Sequence, residues 1–173
     1  MKMASSRIKY LVIAAVIGVF GYFVLSQRDI DKHFSEIPGH VANFTAINID
    51  GGKTTYQEQK GKVTLITLSA SWCPACMAEI PMLKKLHQEY NSQGFKILMV
   101  SEDDNVKIAA KFKKKQELPW TVIHWNYDLM NNLGNPGVLP VTYLVNELDS
   151  IVQINSGIFD EGAMNRAIRK LLR

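Results

Sequence analysis

Three stretches of this chain are apolar almost without interruption, and most of the remainder alternates or recurs at helical spacing. Residues 63–69 (VTLITLS) and 95–101 (FKILMVS) are short, largely apolar and rich in β-branched and other large aliphatic side chains, the pattern of strands buried on both faces of a sheet. Residues 43–49 alternate instead, with Phe44, Ala46, Ile47 and Ile49 apolar, and run into Asp50-Gly51-Gly52. That pattern predicts a hairpin returning over residues 54–56, with Gly61 closing the next connection. Between the two buried strands Ile80, Leu83 and Leu86 recur at helical spacing from a start near Cys73, followed by Tyr90, and Gly94 fits the stop. The run Glu102-Asp103-Asp104-Asn105 supplies cap residues for a helix over about residues 106–116. A short strand over 121–125, a short helix over 128–133 and a loop at 134–137 come next. Strands over 141–145 and 151–155 flank a turn at 146–149, and a helix over 160–172 carries Ile168, Leu171 and Leu172 on its apolar side. The strand–helix–strand–helix portion requires right-handed parallel crossovers, and the late hairpin adds antiparallel strands. The expected class is α/β, with a central mixed sheet flanked by helices.

The third apolar stretch, residues 10–25 (YLVIAAVIGVFGYFVL), is of another kind. Sixteen uncharged residues span about 24 Å as a helix, short of a hydrocarbon core of roughly 30 Å. Flanking Ile8 and Ser26 extend the embedded length, and Lys9 and Arg28 can snorkel. The stretch reads as a signal peptide or signal anchor. No A-x-A site follows it, so retention as a single-pass anchor is favoured over a cleaved and secreted form. The expected organisation is an anchor over residues 1–25, a polar tether over 26–40 and a folded domain over 41–173.

Charge sharpens this picture. The chain has 173 residues, 20 Lys and Arg against 16 Asp and Glu, and a net charge of +4. Lys2, Arg7 and Lys9 stand in the first nine residues with no acid among them. The other 17 basic residues nearly balance the 16 acids. The N-terminal cluster sets orientation, cytoplasmic N-terminus and extracytoplasmic domain. The domain itself lacks the basic footprint of a nucleic-acid binder. Lys111, Lys113, Lys114 and Lys115 read as a solvated helix face, and Trp120 and Trp125 as core.

The chemistry concentrates in Trp72-Cys73-Pro74-Ala75-Cys76, where a buried strand gives way to a helix. A thiol at a helix N-terminus faces unpaired N–H groups and the positive end of the dipole, which favour thiolate. Pro74 falls in the first turn, where a missing N–H costs nothing. Cys76 lies one turn on, within reach of a disulfide. Two cysteines cannot make a four-cysteine zinc site, and His33, His40, His87 and His124 form no ligand-spaced pair. No metal or other cofactor is expected. Dithiol exchange follows, with Cys73 attacking and Cys76 resolving.

At these residues the chain resembles the thioredoxin superfamily, and more narrowly its membrane-tethered TlpA/ResA/CcmG (DsbE) group of extracytoplasmic thiol–disulfide oxidoreductases. The resemblance covers about residues 42–173. Beyond W-C-x-x-C it rests on Gly61-Lys62-Val63 before the strand, Cys76-Met77-Ala78-Glu79, Pro81 inside the helix, and Leu139-Pro140-Val141-Thr142-Tyr143-Leu144-Val145. It implies a thioredoxin-like fold, a cis peptide at Pro140 facing the cysteines, and substrate contacts from Trp72, Pro74, Leu139 and Pro140. Glu79, on the helical face of Cys76, is the expected proton acceptor. Thioredoxin's buried aspartate, six residues before the first cysteine, is replaced here by Thr67, which strengthens the case for Glu79. Leu139 is bulkier than the family's usual residue at that position.

The resemblance implies a disulfide reductase at the cytoplasmic membrane. Its expected substrates are disulfide-bearing exported proteins, apocytochrome c among the possibilities, and its expected electron source is a membrane donor of DsbD/CcdA type. An oxidase or isomerase on the same fold is the alternative, and a copper-delivery protein or thiol peroxidase a more distant one.

Overall fold

In a computed structural model the described residues are 15–19, 21–22 and 39–173. Residues 15–19 and 21–22 are helical. Most of the expected anchor and almost all of the tether lie outside the described residues. Among the described residues no helix is long and apolar enough to cross a membrane.

Residues 39–173 form a seven-stranded mixed sheet with helices packed on it. The strands are β1 (Thr45–Asn48), β2 (Lys53–Thr55), β3 (Val63–Ser69), β4 (Phe95–Ser101), β5 (Thr121–His124), β6 (Val141–Val145) and β7 (Ile151–Ser156). Their order is β2-β1-β5-β4-β3-β6-β7. β3, β4 and β5 run parallel, and every other pairing is antiparallel. β3 is buried along its whole length, as its uninterrupted apolar pattern requires.

The helices are α1 (Tyr56–Gln59), α2 (Pro74–Tyr90), α3 (Val106–Gln116), α4 (Tyr127–Asn132) and α5 (Glu161–Leu171). Val63 and Leu65 of β3 and Phe95, Ile97 and Met99 of β4 share one core with Ile80, Leu83 and Leu86 of α2. Phe112 of α3 and Met164 and Ile168 of α5 complete it. The opposite face carries Tyr143, whose hydroxyl donates to the Leu133 carbonyl just past α4 at 2.9 Å. Lys85 of α2 pairs with Glu161 of α5 at 3.2 Å, and the Tyr90 hydroxyl bonds Asn165, so polar contacts also tie these two helices together.

Side-chain caps set most helix starts. Asn105, Asn126 and Asp160 accept from the backbone N–H three residues on at 3.1, 2.9 and 2.6 Å. α1 and a 3₁₀ turn over Asn91–Gln93 were not anticipated. α1 begins with a reciprocal capping box between Thr55 and Glu58. Two expectations for particular residues change. Trp120 is buried as expected, but Trp125 is only half-buried and lies beside the site described next. The acidic run before α3 is not a set of equivalent caps: Asn105 alone caps the helix, and Asp103 is fully buried elsewhere. Lys111, Lys114 and Lys115 are exposed as expected, while Lys113 pairs with Asp50 of the β1–β2 turn.

Candidate active site

The site begins where β3 ends. Ala70 and Ser71 turn the chain off the sheet, and Cys73 becomes the N-cap of α2 with Pro74 in its first turn. The Cys73 N–H donates to the Ala70 carbonyl at 3.2 Å, and the Cys76 N–H donates to Cys73 Sγ at 3.1 Å. Sulfur thus occupies the place where an N-cap oxygen usually accepts from the N–H three residues on. Cys73 and Cys76 are joined by a disulfide, with their Cα atoms 5.3 Å apart.

Both cysteines are buried, Cys73 at 5% and Cys76 at 2% exposure, but they differ in their relation to the surface. Cys73 lines an open groove of about 450 Å³ with Trp72, Pro74, Glu102, Val138 and Leu139, whereas Cys76 is not part of its wall. Trp72 is 65% exposed and Val138 48%, so large apolar side chains stand in solvent on both sides of Cys73. The Leu139–Pro140 peptide bond is cis. The Pro140 carbonyl accepts from the Gly157 N–H at 2.8 Å, while no backbone hydrogen bond engages Val138 or Leu139 among the described residues. The structure therefore brings Trp72, Cys73, Pro74 and Leu139 to one groove, while Pro140 is buried and does not line it.

Glu79 lies one turn beyond Cys76 on the buried face of α2 and is 1% exposed. Its Oε1 accepts from the Phe159 N–H at 3.1 Å. Burial pushes its carboxyl up to about 7, the Phe159 hydrogen bond opposing part of that rise. Among the described residues no hydrogen bond joins Glu79 to either cysteine. At the position six residues before Cys73, Thr67 is buried and its hydroxyl has no partner among the described residues. The same holds for Thr142, which faces it from β6, and for Ser69 two residues further along β3.

Two acids of the β4–α3 loop belong to the site although the sequence presented them as caps. Asp103 Oδ1 accepts from the Ser71 N–H at 3.0 Å and the Ser71 hydroxyl at 2.6 Å, and Oδ2 accepts from the Ser101 hydroxyl at 2.8 Å. These charge-assisted bonds offset the cost of a fully buried carboxylate and hold the turn leading into Trp72 and Cys73. Glu102, whose N–H donates to the Ser69 carbonyl at 2.9 Å, turns its side chain into the groove wall. Only the local cue of three consecutive acids marked this loop, and it did not distinguish their roles.

Comparison with known proteins agrees with this geometry. The chain matches the AhpC/TSA family over residues 37–154. It is 29% identical over 150 residues to the thiol-disulfide oxidoreductase ResA of Halalkalibacterium halodurans, covering 85% of this chain and 84% of that protein. It is 21% identical over 160 residues to the ResA of Geobacillus kaustophilus, covering 92% of each. A thiol:disulfide interchange protein of the thioredoxin family from Chlorobium tepidum superposes with a TM-score of 0.69 at 19% identity, over 79% of this chain and 97% of that one. StoA from Bacillus subtilis does so with a TM-score of 0.61 at 22% identity, over 75% and 98%. The solved structures carry the thioredoxin-like fold, and the curated relatives carry the chemistry. The family match spans more than half of the chain and includes the bonded Cys73 and Cys76, so the chain belongs to the AhpC/TSA family, as a thiol–disulfide oxidoreductase of the ResA type.

Proposed function

We propose that this protein reduces disulfides of exported proteins outside the cytoplasm, with Cys73 as the attacking thiolate, Cys76 as the resolving thiol and Glu79 as its proton acceptor. The observation that carries the assignment is position: Cys73 lines the groove and Cys76 does not. A substrate disulfide seated between Trp72 and Leu139 is attacked by the Cys73 thiolate. One substrate sulfur leaves and takes a proton, and the other stays bonded to Cys73. Cys76 then passes its proton to Glu79 and attacks Cys73 Sγ, releasing the second substrate sulfur. Two electrons move to the substrate, and the Cys73–Cys76 disulfide remains. A carboxyl held at about 7 is matched to this exchange, since it accepts and returns a proton near neutral pH.

Re-reduction then falls to a membrane donor of DsbD/CcdA type, and cytochrome c maturation is the process such a reductase would serve. Extracytoplasmic placement rests on Lys2, Arg7 and Lys9 ahead of the apolar residues 10–25. A Cys76→Ser variant of the full chain should accumulate a mixed disulfide between Cys73 and its client, visible on non-reducing gels. The Cys73→Ser variant should not. Equal trapping by both, or by neither, ends this assignment. A reduction potential near −270 mV fits the reductase, whereas one near −120 mV points to an oxidase.

A further inference from the structure

The groove at Cys73 does not end at Glu102. The Glu102 side chain also walls a second depression of about 340 Å³, whose sides include Asp104, Trp125, Tyr127, Asn131 and Asn135. The two depressions share that wall, so the surface beside the reactive sulfur continues to a patch that is both aromatic and acidic.

Three features bear on what this patch holds. Glu102 is half-buried, and burial pushes its carboxyl up with no cation beside it to oppose the rise. The Trp125 and Tyr127 rings meet edge to face with centroids 5.6 Å apart, yet Tyr127 is 78% exposed. No Lys, Arg or His is among the described residues lining either depression. An apolar guest would leave Glu102 desolvated and unpaired, and an acidic one would be repelled. A cationic side chain meets both halves of the patch. Its alkyl or guanidinium part packs on the rings, and its charge reaches the carboxylates.

The geometry points to a substrate-specificity subsite, in which a Lys or Arg side chain of the substrate polypeptide lies against Trp125 and Tyr127 with its charge at Glu102 and Asp104. The guest residue sits a few positions from the substrate cysteine held at Cys73. This inference rests on the proposed reductase reading and adds a preference for basic segments. It concerns only the residue beside the reacting disulfide, since the exchange itself stays at Cys73 and Cys76.

The test uses the reduced full chain and three disulfide peptides that differ at one position near the cysteine: lysine, norleucine or glutamate. Single-turnover oxidation of the protein gives a second-order rate constant for each. The lysine peptide should react about tenfold faster than the norleucine peptide, and the glutamate peptide more slowly than either. In Glu102→Gln combined with Asp104→Asn, the lysine-to-norleucine ratio should fall to within about twofold of unity. Because the readout is a ratio within one protein, it is independent of the active fraction. Should the double variant not fold, Tyr127→Ala, a change at an exposed side chain, should lower the same ratio. A wild-type ratio near one, or a ratio unchanged in the variants, overturns the subsite and leaves the reductase reading standing. If none of the three peptides oxidises the wild-type protein, the reductase reading falls, and the subsite with it.

Discussion

Thr67 and Thr142 face each other across β3 and β6, both buried and neither with a hydrogen-bond partner for its hydroxyl among the described residues. A buried, unpaired hydroxyl costs about 1–3 kcal/mol, and valine nearly matches threonine in shape. Thr67→Val should therefore raise the free energy of unfolding by about 1 kcal/mol, read as a higher urea midpoint at unchanged slope. A drop in the midpoint would mean the hydroxyl is engaged in solution. At this scale the cysteines were legible because their chemistry is local: spacing, the intervening Pro74 and the helix start all lie within four residues. Glu79 was legible as a position on the helix, but its proton affinity was not. That depends on Phe159, eighty positions away, and on burial under packed helices. The different duties of Glu102, Asp103 and Asp104 were hidden for the same reason, since Ser71 and Trp125 reach them only through the sheet.

Elements depend on close approaches as much as on periodicity. β3 and β4 start side by side, with the Val63 N–H donating to the Gly94 carbonyl at 3.4 Å. A Cβ at Gly61 would run into that same carbonyl oxygen, which is backbone and cannot swing away. Gly61→Ala should therefore cost about 2 kcal/mol or more of stability, measured by denaturant titration, while the Cys73–Cys76 chemistry persists in the folded fraction. Gly94 itself sits at φ 98°, in the left-handed region, and ends the 3₁₀ turn after α2. The strong apolar runs announced β3 and β4 because burial on both faces leaves few polar positions to confuse the pattern, and α2 was announced by its helical period of Ile80, Leu83 and Leu86. The four-residue α1 escaped because one turn is too short for a period. The Thr55-x-x-Glu58 box was its one available cue.

The buried carboxyl of Glu79 reaches the stability of the whole domain. Its ordinary value is 4.5 and in the fold it is pushed up to about 7, so between these values the native state holds a proton that the unfolded chain releases. The stabilisation is complete below about pH 4.5, declines as pH rises and is lost by about pH 7, a fall of about 3 kcal/mol. Wild-type protein in the disulfide form, where neither thiol titrates, should show this decline in denaturant titrations at pH 5 and pH 8. Glu79→Gln should remove most of the difference. An equal slope in the variant would assign the decline to other groups. Glu102 shifts in the same direction through burial, whereas Asp149, bonded by Lys60, Gln57 and Tyr56, shifts the opposite way.

The amino-acid sequence by itself determined the redox centre, the α/β class and the placement of two cysteines at a strand-to-helix junction. Covalent spacing and hydrophobic period are properties of neighbouring residues. Tertiary structure decided which cysteine lines the groove, where the Glu79 proton resides, and that Glu102 and Trp125 belong to a surface rather than to a cap and a core. Solvent access and charge stability depend on what the fold packs around a group, and those neighbours come from segments far apart in the chain.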